Sequence, residues 1–239
     1  MRLRAAPKGT GWRLNGGPVV SARVADTFLA TCLETPTGPV RTTEHLFAAL
    51  AGLGVADVDL EVVGGEVPIL DGSARPFCEA IRASGLARPG LPLRALPAPL
   101  RLPGVDAESL IELEPAEAFR LQVDARPPMP GSGRFVCTLA EFEAEVAPAR
   151  TFGRLEDAER LRAAGRALGA SLDNCVVFAA DGGVLNPGGL RFADEPLRHK
   201  ALDLLGDLAR LGWLPAAVVR ARGTGHAVHA ALVARLAGA

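Results

Sequence analysis

An excess of charge of either sign is missing from this chain, which has 26 basic and 27 acidic residues. The formal net charge is −1 and no run of Lys or Arg interrupts the sequence, so the electrostatic footprint of a nucleic-acid-binding protein is missing. Long apolar runs are missing too. No stretch approaches the roughly 20 apolar residues of a membrane-spanning helix, and the opening MRLRAAPKGTGW has no apolar core of a secretory signal. Cysteine is sparse: Cys32, Cys78, Cys137 and Cys175 are widely scattered, with no C-x-x-C pair. That argues for reduced, mostly buried thiols and against a disulfide framework. The expectation is a cytoplasmic protein, monomeric, with no nucleic-acid partner and no stable membrane insertion.

What is present is a core. Hydrophobic residues make up 49% of the 239 and charged residues 22%, enough for one large domain or two of ordinary size. Residues 1–41 read as short strands and turns, with hairpin punctuation in GTGWRLNGG. TTEHLFAALAGLG reads as a helix with Thr42 or Thr43 as its cap and Gly52 or Gly54 as its end. VADVDLEVVGGEVPIL predicts a strand, a turn and a second strand, closed by the Asp71–Ser73 turn, and a short amphipathic helix covers Pro76 to Gly85. RPGLPLRALPAPLRLPG carries five prolines in seventeen residues. At that density no regular element is expected, so it reads as the connection between two domains, 1–97 and 105–239, with 98–104 as linker. The second half repeats the order of strands and then helices. The fold class is α+β: two related two-layer domains, each a sheet with helices, the helices packed between the two sheets.

Phe192 to Gly212 is the best-punctuated stretch. Asp194 can cap it, Pro196 fits its first turn, and Gly212 stops it. Leu197, Ala201, Leu204, Leu208 and Leu211 form an apolar stripe. Beside it, His199, Asp203 and Asp207 follow at intervals of four, so His199 and Asp203 stack on one face and can converge on an ion. On this helix alone, a solvated polar edge is the favoured reading of the stripe.

Only four histidines occur, His45, His199, His226 and His229. Metal-dependent hydrolysis needs three protein ligands with a position left for water, a general base, and a proton donor for the leaving group. His45, His199 and Asp203 can serve as the ligands. Glu44, adjacent to His45, lies where a base would meet the water, and His226 stands on a separate Gly-flanked turn. Taken singly, Glu44 also reads as a helix-dipole carboxylate and His45 as a core histidine.

These blocks, in order, are TTEHLFAALAGLG, EVPILDGSARPF, ARTFG, GASLDN, VLNPGGLRFADEPLRHKALDLLGDLARLG and GTGHAVHAAL. Together they resemble the UDP-3-O-acyl-N-acetylglucosamine deacetylases, zinc enzymes of lipid A biosynthesis. The resemblance implies a UDP-acyl-amino-sugar substrate and a bound Zn2+. It also implies a general base at Glu44, zinc ligands at His45, His199 and Asp203, and a substrate-contacting lysine at Lys200. Asp207 would orient a cationic acid, His226; Thr151 would stabilise an oxyanion, and Phe152 would pack on the sugar. Leu155, Ala158, Leu161 and Leu168, read as one helix face, would then wall an acyl chain. Three features depart from the family pattern. A first strand with its Gly-Leu-His turn is absent ahead of Leu3, which would leave a sheet edge open. The lysine of the family's Lys-Ser-Gly-His turn is replaced, with Arg222 preceding Gly223-Thr224-Gly225-His226. His229 stands where relatives usually carry Asn and reads as a structural residue of the helix surface. A relative that binds metal and sugar nucleotide without turnover is the rival reading.

Overall fold

A computed structural model describes residues 1–127, 129–163, 165 and 167–238. The first half opens with β1 (Arg2–Ala5), β2 (Trp12–Leu14) and β3 (Gly17–Pro18). Leu14 pairs with Gly17, so Asn15-Gly16 forms the whole loop, and both of its residues have positive φ (49° and 85°). Asn-Gly is the pair that tolerates this mirror-image turn, whose twist matches that of the flanking strands. β4 (Val24–Asp26), β5 (Cys32–Thr35) and β6 (Gly38–Val40) make a three-stranded antiparallel sheet that leads into α1 (Glu44–Gly52). β7 (Val58–Glu61) then enters between β1 and β2, giving the order β1-β7-β2-β3, and α2 (Arg75–Ala83) closes this half. The second strand expected in VADVDLEVVGGEVPIL is reduced to one bridge, Arg41 with Glu66.

The proline-rich stretch is not free of structure. β8 (Leu93–Ala95) pairs in parallel with residues 214–216, and β9 (Leu100–Pro103) pairs with residues 110–113. The expectation of an element-free linker at 98–104 is therefore corrected. β9 is the outer strand and carries Pro103 at its end, where a missing N–H costs no ladder bond.

β10 (Leu110–Pro115), β11 (Arg120–Ala125) and β12 (Gly133–Thr138) follow, then β13 (Phe152–Arg154), α3 (Leu155–Ala163) and β14 (Val176–Phe178). The chain continues through α4 (Glu195–Ala209), β15 (Leu214–Arg222) and α5 (His226–Ala237). A six-stranded sheet runs β12-β11-β15-β10-β9 with β8 also on β15, and β13 pairs with β14 separately. The apolar face expected around α3 is corrected: Leu168 lies outside the helix, and Leu155 and Leu168 are 52% and 73% exposed.

The mixed α+β architecture matches the fold class read from the sequence. Residues of both large sheets and of α1, α2, α4 and α5 share one apolar core. Trp12 of β2 meets Phe47 of α1 with ring centroids 5.3 Å apart, while α4 packs on both α1 and β11, so α1 and α4 lie between strand layers. α1 is buried from Glu44 to Ala51, and α4 on nearly every face. The His199/Asp203/Asp207 stripe is thus not a solvated edge. Asp194 holds the N-cap position, but its carboxylate accepts from Arg198 Nε (2.6 Å) and not from a helix amide. Gly206 is the contact point of the two helices: a Cβ there would run into the carbonyl of Glu44. Glycine lets the α4 backbone come down onto the start of α1, which places the stripe against Glu44 and His45.

Candidate metal centre

That close crossing gathers side chains from two distant segments. Ligand atoms of His45, His199 and Asp203 lie within 4.8 Å of one another, and all three residues are buried. His199 Nε2 is 3.4 Å and His45 Nε2 3.8 Å from Asp203 Oδ1. Tetrahedral zinc with bonds near 2.0–2.1 Å has donor atoms about 3.3 Å apart, so the separations fit one shared ion. The protonation states fit as well. His199 Nδ1 lies 3.1 Å from the carbonyl of Ala149; a carbonyl only accepts, so the proton is on Nδ1 and the Nε2 lone pair faces Asp203. Burial pushes His199 below its ordinary pKa, and burial with the neighbouring His199 takes His45 down to about 3. Both rings are therefore neutral ligands. For Asp203, burial favours the neutral form, but the neighbouring imidazoles of His199 and His226 and the Lys200 ammonium outweigh it and hold the carboxyl low. The His45 ring has no such anchor: its Nδ1 is buried without a hydrogen-bond partner among the described residues. It packs edge-on against His199, with centroids 4.9 Å apart.

The carbonyl that orients His199 is itself held. The next residue, Arg150, donates its backbone N–H and its guanidinium to Glu195 (2.8–3.0 Å), the first residue of α4. Arg191 ties this corner to the first half by donating to Asp71 Oδ2 (2.9 Å), while Asp71 Oδ1 accepts from Ser73. Thr151 N–H donates to Gly72 O (2.8 Å), and Gly72, at φ +81°, lies so close to Asn174 that a Cβ would collide with its carbonyl. The expected oxyanion residue Thr151 and sugar-packing residue Phe152 are thereby brought to the rim, the Phe152 ring 6.1 Å from that of His199. Lys200 Nζ lies 5.9 Å from the Phe152 ring centre. Lys200 also borders a cavity of about 250 Å3 with Arg126, Arg222 and Thr224.

On the other side of the triad, Glu44 is buried, and its Oε2 accepts the N–H of Thr31 (3.1 Å). Burial pushes its pKa up to about 8, with the charge of His226 opposing. Thr31 reaches further: its hydroxyl donates to Asp207 Oδ1 (2.5 Å), so one threonine bridges both carboxylates. Asp207 Oδ2 lies 2.8 Å from His226 Nδ1. Burial works against a charged His226, but the charge of Asp207 and the hydrogen bond to it prevail and raise the pKa to about 10. His229 is not a surface residue. It is 1% exposed, with Nδ1 2.7 Å from the same Asp207 oxygen. Sequence reasoning missed Thr31 altogether. The i, i+3 spacing of His226 and His229 carried the signal for the second histidine, since it puts both on one face of α5.

A buried triad of donor groups with a carboxylate and a cationic imidazole beside it equips an α+β protein for metal-assisted hydrolysis. Comparison with known proteins gives the family. The LpxC family model, described as UDP-3-O-acyl N-acetylglycosamine deacetylase, matches residues 1–238. The UDP-3-O-acyl-N-acetylglucosamine deacetylase of Thermosynechococcus vestitus is 43% identical over 247 residues, covering 99% of this chain and 86% of that protein. Those of Solibacter usitatus and Myxococcus xanthus are 40% and 38% identical over 248 residues, covering 84% and 79% of the respective proteins. The chain belongs to the UDP-3-O-acyl-N-acetylglucosamine deacetylase family, a family of enzymes. No helix among the described residues is long and apolar enough to cross a membrane.

Proposed function

We propose that this protein is a zinc-dependent hydrolase acting in the cytoplasm in lipid A biosynthesis. It removes the N-acetyl group of UDP-3-O-acyl-N-acetylglucosamine, giving the free amine and acetate. The convergence of His45, His199 and Asp203, with Glu44 and His226 linked beside them through Thr31 and Asp207, carries the reading. The two imidazoles and the carboxylate would hold the ion. Bound there, zinc supplies Lewis acidity that polarises the acetamide carbonyl and acidifies a water.

The remaining steps belong to the chain. Glu44, held by the Thr31 N–H, takes the proton of the attacking water as its oxygen bonds to the carbonyl carbon. A buried carboxylate with a raised pKa retains a proton readily and is therefore a capable base once ionised. Charge developing on the carbonyl oxygen is met by protonated His226 and by the Thr151 hydroxyl. The C–N bond then breaks as His226 passes its Nε2 proton to the departing nitrogen, and acetate leaves. Asp207 holds His226 cationic until that transfer, and the proton taken up by Glu44 afterwards restores it. Lys200 and Phe152, beside each other at the rim, contact the sugar nucleotide.

The test is a deacetylase assay on the purified protein with UDP-3-O-acyl-N-acetylglucosamine, paired with metal analysis. One zinc per chain and release of acetate are expected. A protein that binds zinc and the nucleotide but releases no acetate overturns the reading in favour of an inert relative.

A further inference from the structure

Asp207 is a buried carboxylate with every direction taken. Oδ1 accepts the Thr31 hydroxyl at 2.5 Å, and Oδ2 faces two imidazoles at once, His226 Nδ1 at 2.8 Å and His229 Nδ1 at 2.7 Å. An ionised carboxylate only accepts, so each ring carries its proton on Nδ1. The two rings differ at their other nitrogen. His229 Nε2 lies 3.2 Å from the Thr224 hydroxyl, which can donate to it, and the ring is fully enclosed. His226 is only partly buried, on the first residue of α5.

We propose that His229 is a positioning residue of the reaction: its Nδ1–H, given to the same Asp207 oxygen that His226 faces, anchors that carboxylate and sets how firmly it holds His226. This deepens the hydrolase reading and rests on it. Two consequences follow. By occupying a share of Oδ2, His229 keeps Asp207 from turning wholly onto His226 and holding its proton too tightly to give up. By linking α5 through Thr224 to the turn before His226, it also fixes where that ring stands. The charged and titratable groups that bear on His226 are Asp207, Asp203 and His199 from α4, Glu44 and His45 from α1, and His229 from its own helix. Of these, only His229 shares the oxygen to which His226 is bonded.

Two substitutions separate anchoring from mere filling of space. In Asn the Nδ2 group is attached to Cγ as Nδ1 is in His, so His229→Asn keeps a donor aimed at Asp207 while losing the ring. His229→Phe keeps the ring and loses the donor. The proposal expects His229→Phe to lower kcat about tenfold with KM within twofold, and to move the alkaline limb of kcat/KM up by about one pH unit, the scale of one lost hydrogen bond to a charge. His229→Asn should recover most of the rate and return the limb. The reverse ranking, with Phe active and Asn impaired, would mean that His229 only fills space. Independently of activity, the imidazole 15N shifts of the metal-free and zinc-loaded protein should show a proton on Nδ1 of both His229 and His226 near neutral pH. A His229 that carries its proton on Nε2 alone overturns the proposal even if the protein is an active deacetylase. A protein without deacetylase activity but with these shifts loses the hydrolase reading and keeps the bond from His229 to Asp207.

Discussion

Asp203 and Asp207 stand one turn apart on α4, both buried, and each faces two histidines, yet His45 beside the first is held neutral and His226 beside the second is held charged. Around Asp203, the rings point Nε2 at the carboxylate, burial drives them neutral, and His45 falls to about 3. Around Asp207, the rings point Nδ1–H at the carboxylate, and His226 rises to about 10. What differs is the second partner of each ring. The Ala149 carbonyl takes the Nδ1 proton of His199 and frees Nε2 as a ligand, whereas Asp207 itself takes the Nδ1 proton of His226. One helix thus presents a ligand site and an acid site side by side, distinguished by tautomer and not by residue type.

The largest effect should come from breaking the ligand side. Asp203→Ala removes a ligand, and both zinc retention under chelator and activity should fall, the latter by roughly a thousandfold to ten-thousandfold if the metal's contribution is lost. Glu44→Ala should cost about a hundredfold to ten-thousandfold while zinc stays bound, because Glu44 serves as base and not as ligand. The comparison fails if the two variants lose metal equally.

The acid side is probed by pH. In the zinc-loaded enzyme, kcat/KM should be bell-shaped. The acid limb follows Glu44, brought below its value of about 8 by the nearby cation, and the alkaline limb follows His226 near 10. His226→Gln should cost about a hundredfold or more near neutrality and erase the alkaline limb; a variant that keeps that limb assigns it elsewhere. Stability carries the same signature. The folded pKa of His226 lies above its ordinary value of about 6.5, so its stabilising contribution is complete below that pH and is lost as pH rises through about 10. The Tm gap between wild type and His226→Gln should therefore close at the alkaline end.

A smaller effect sharpens the comparison from the second partner. Glu195→Gln weakens the clamp on Arg150 that holds the Ala149 carbonyl against His199. Zinc affinity should drop about tenfold to a hundredfold by competition titration, the usual worth of an outer partner of a ligand. Unchanged affinity would show that packing alone orients His199.

Much of this was legible in the residues, unevenly. The α4 region was read nearly to its ends because Pro196 and Gly212 punctuate it and its leucines keep helical spacing. The i, i+4 stripe placed His199 and Asp203 together, but not their burial, which depends on α1 lying across the stripe at Gly206. Thr31 was invisible, since an isolated threonine acquires meaning only from Glu44 and Asp207, the latter 176 positions away. β8 and β9 were hidden by their prolines, which weigh against a strand until the partner and the free edge are known. His229 was misplaced to the surface because α5 is apolar on several sides, and the one local signal for its burial was its i, i+3 relation to His226, which turns both rings toward Asp207.

The bond between Thr31 and Asp207 also bears on how the protein comes to life. Whatever chemistry the cluster performs, neither half of the chain holds a working set, and the groups that complete it meet only when the two halves dock. Contacts between such distant segments are slow to form because the intervening chain must first be closed into a loop. In refolding, helical signal should therefore return ahead of catalytic competence. A chain emerging during synthesis stays chemically silent until β15 and α5 have arrived, so turnover reports the last docking event of folding more sharply than spectroscopy does.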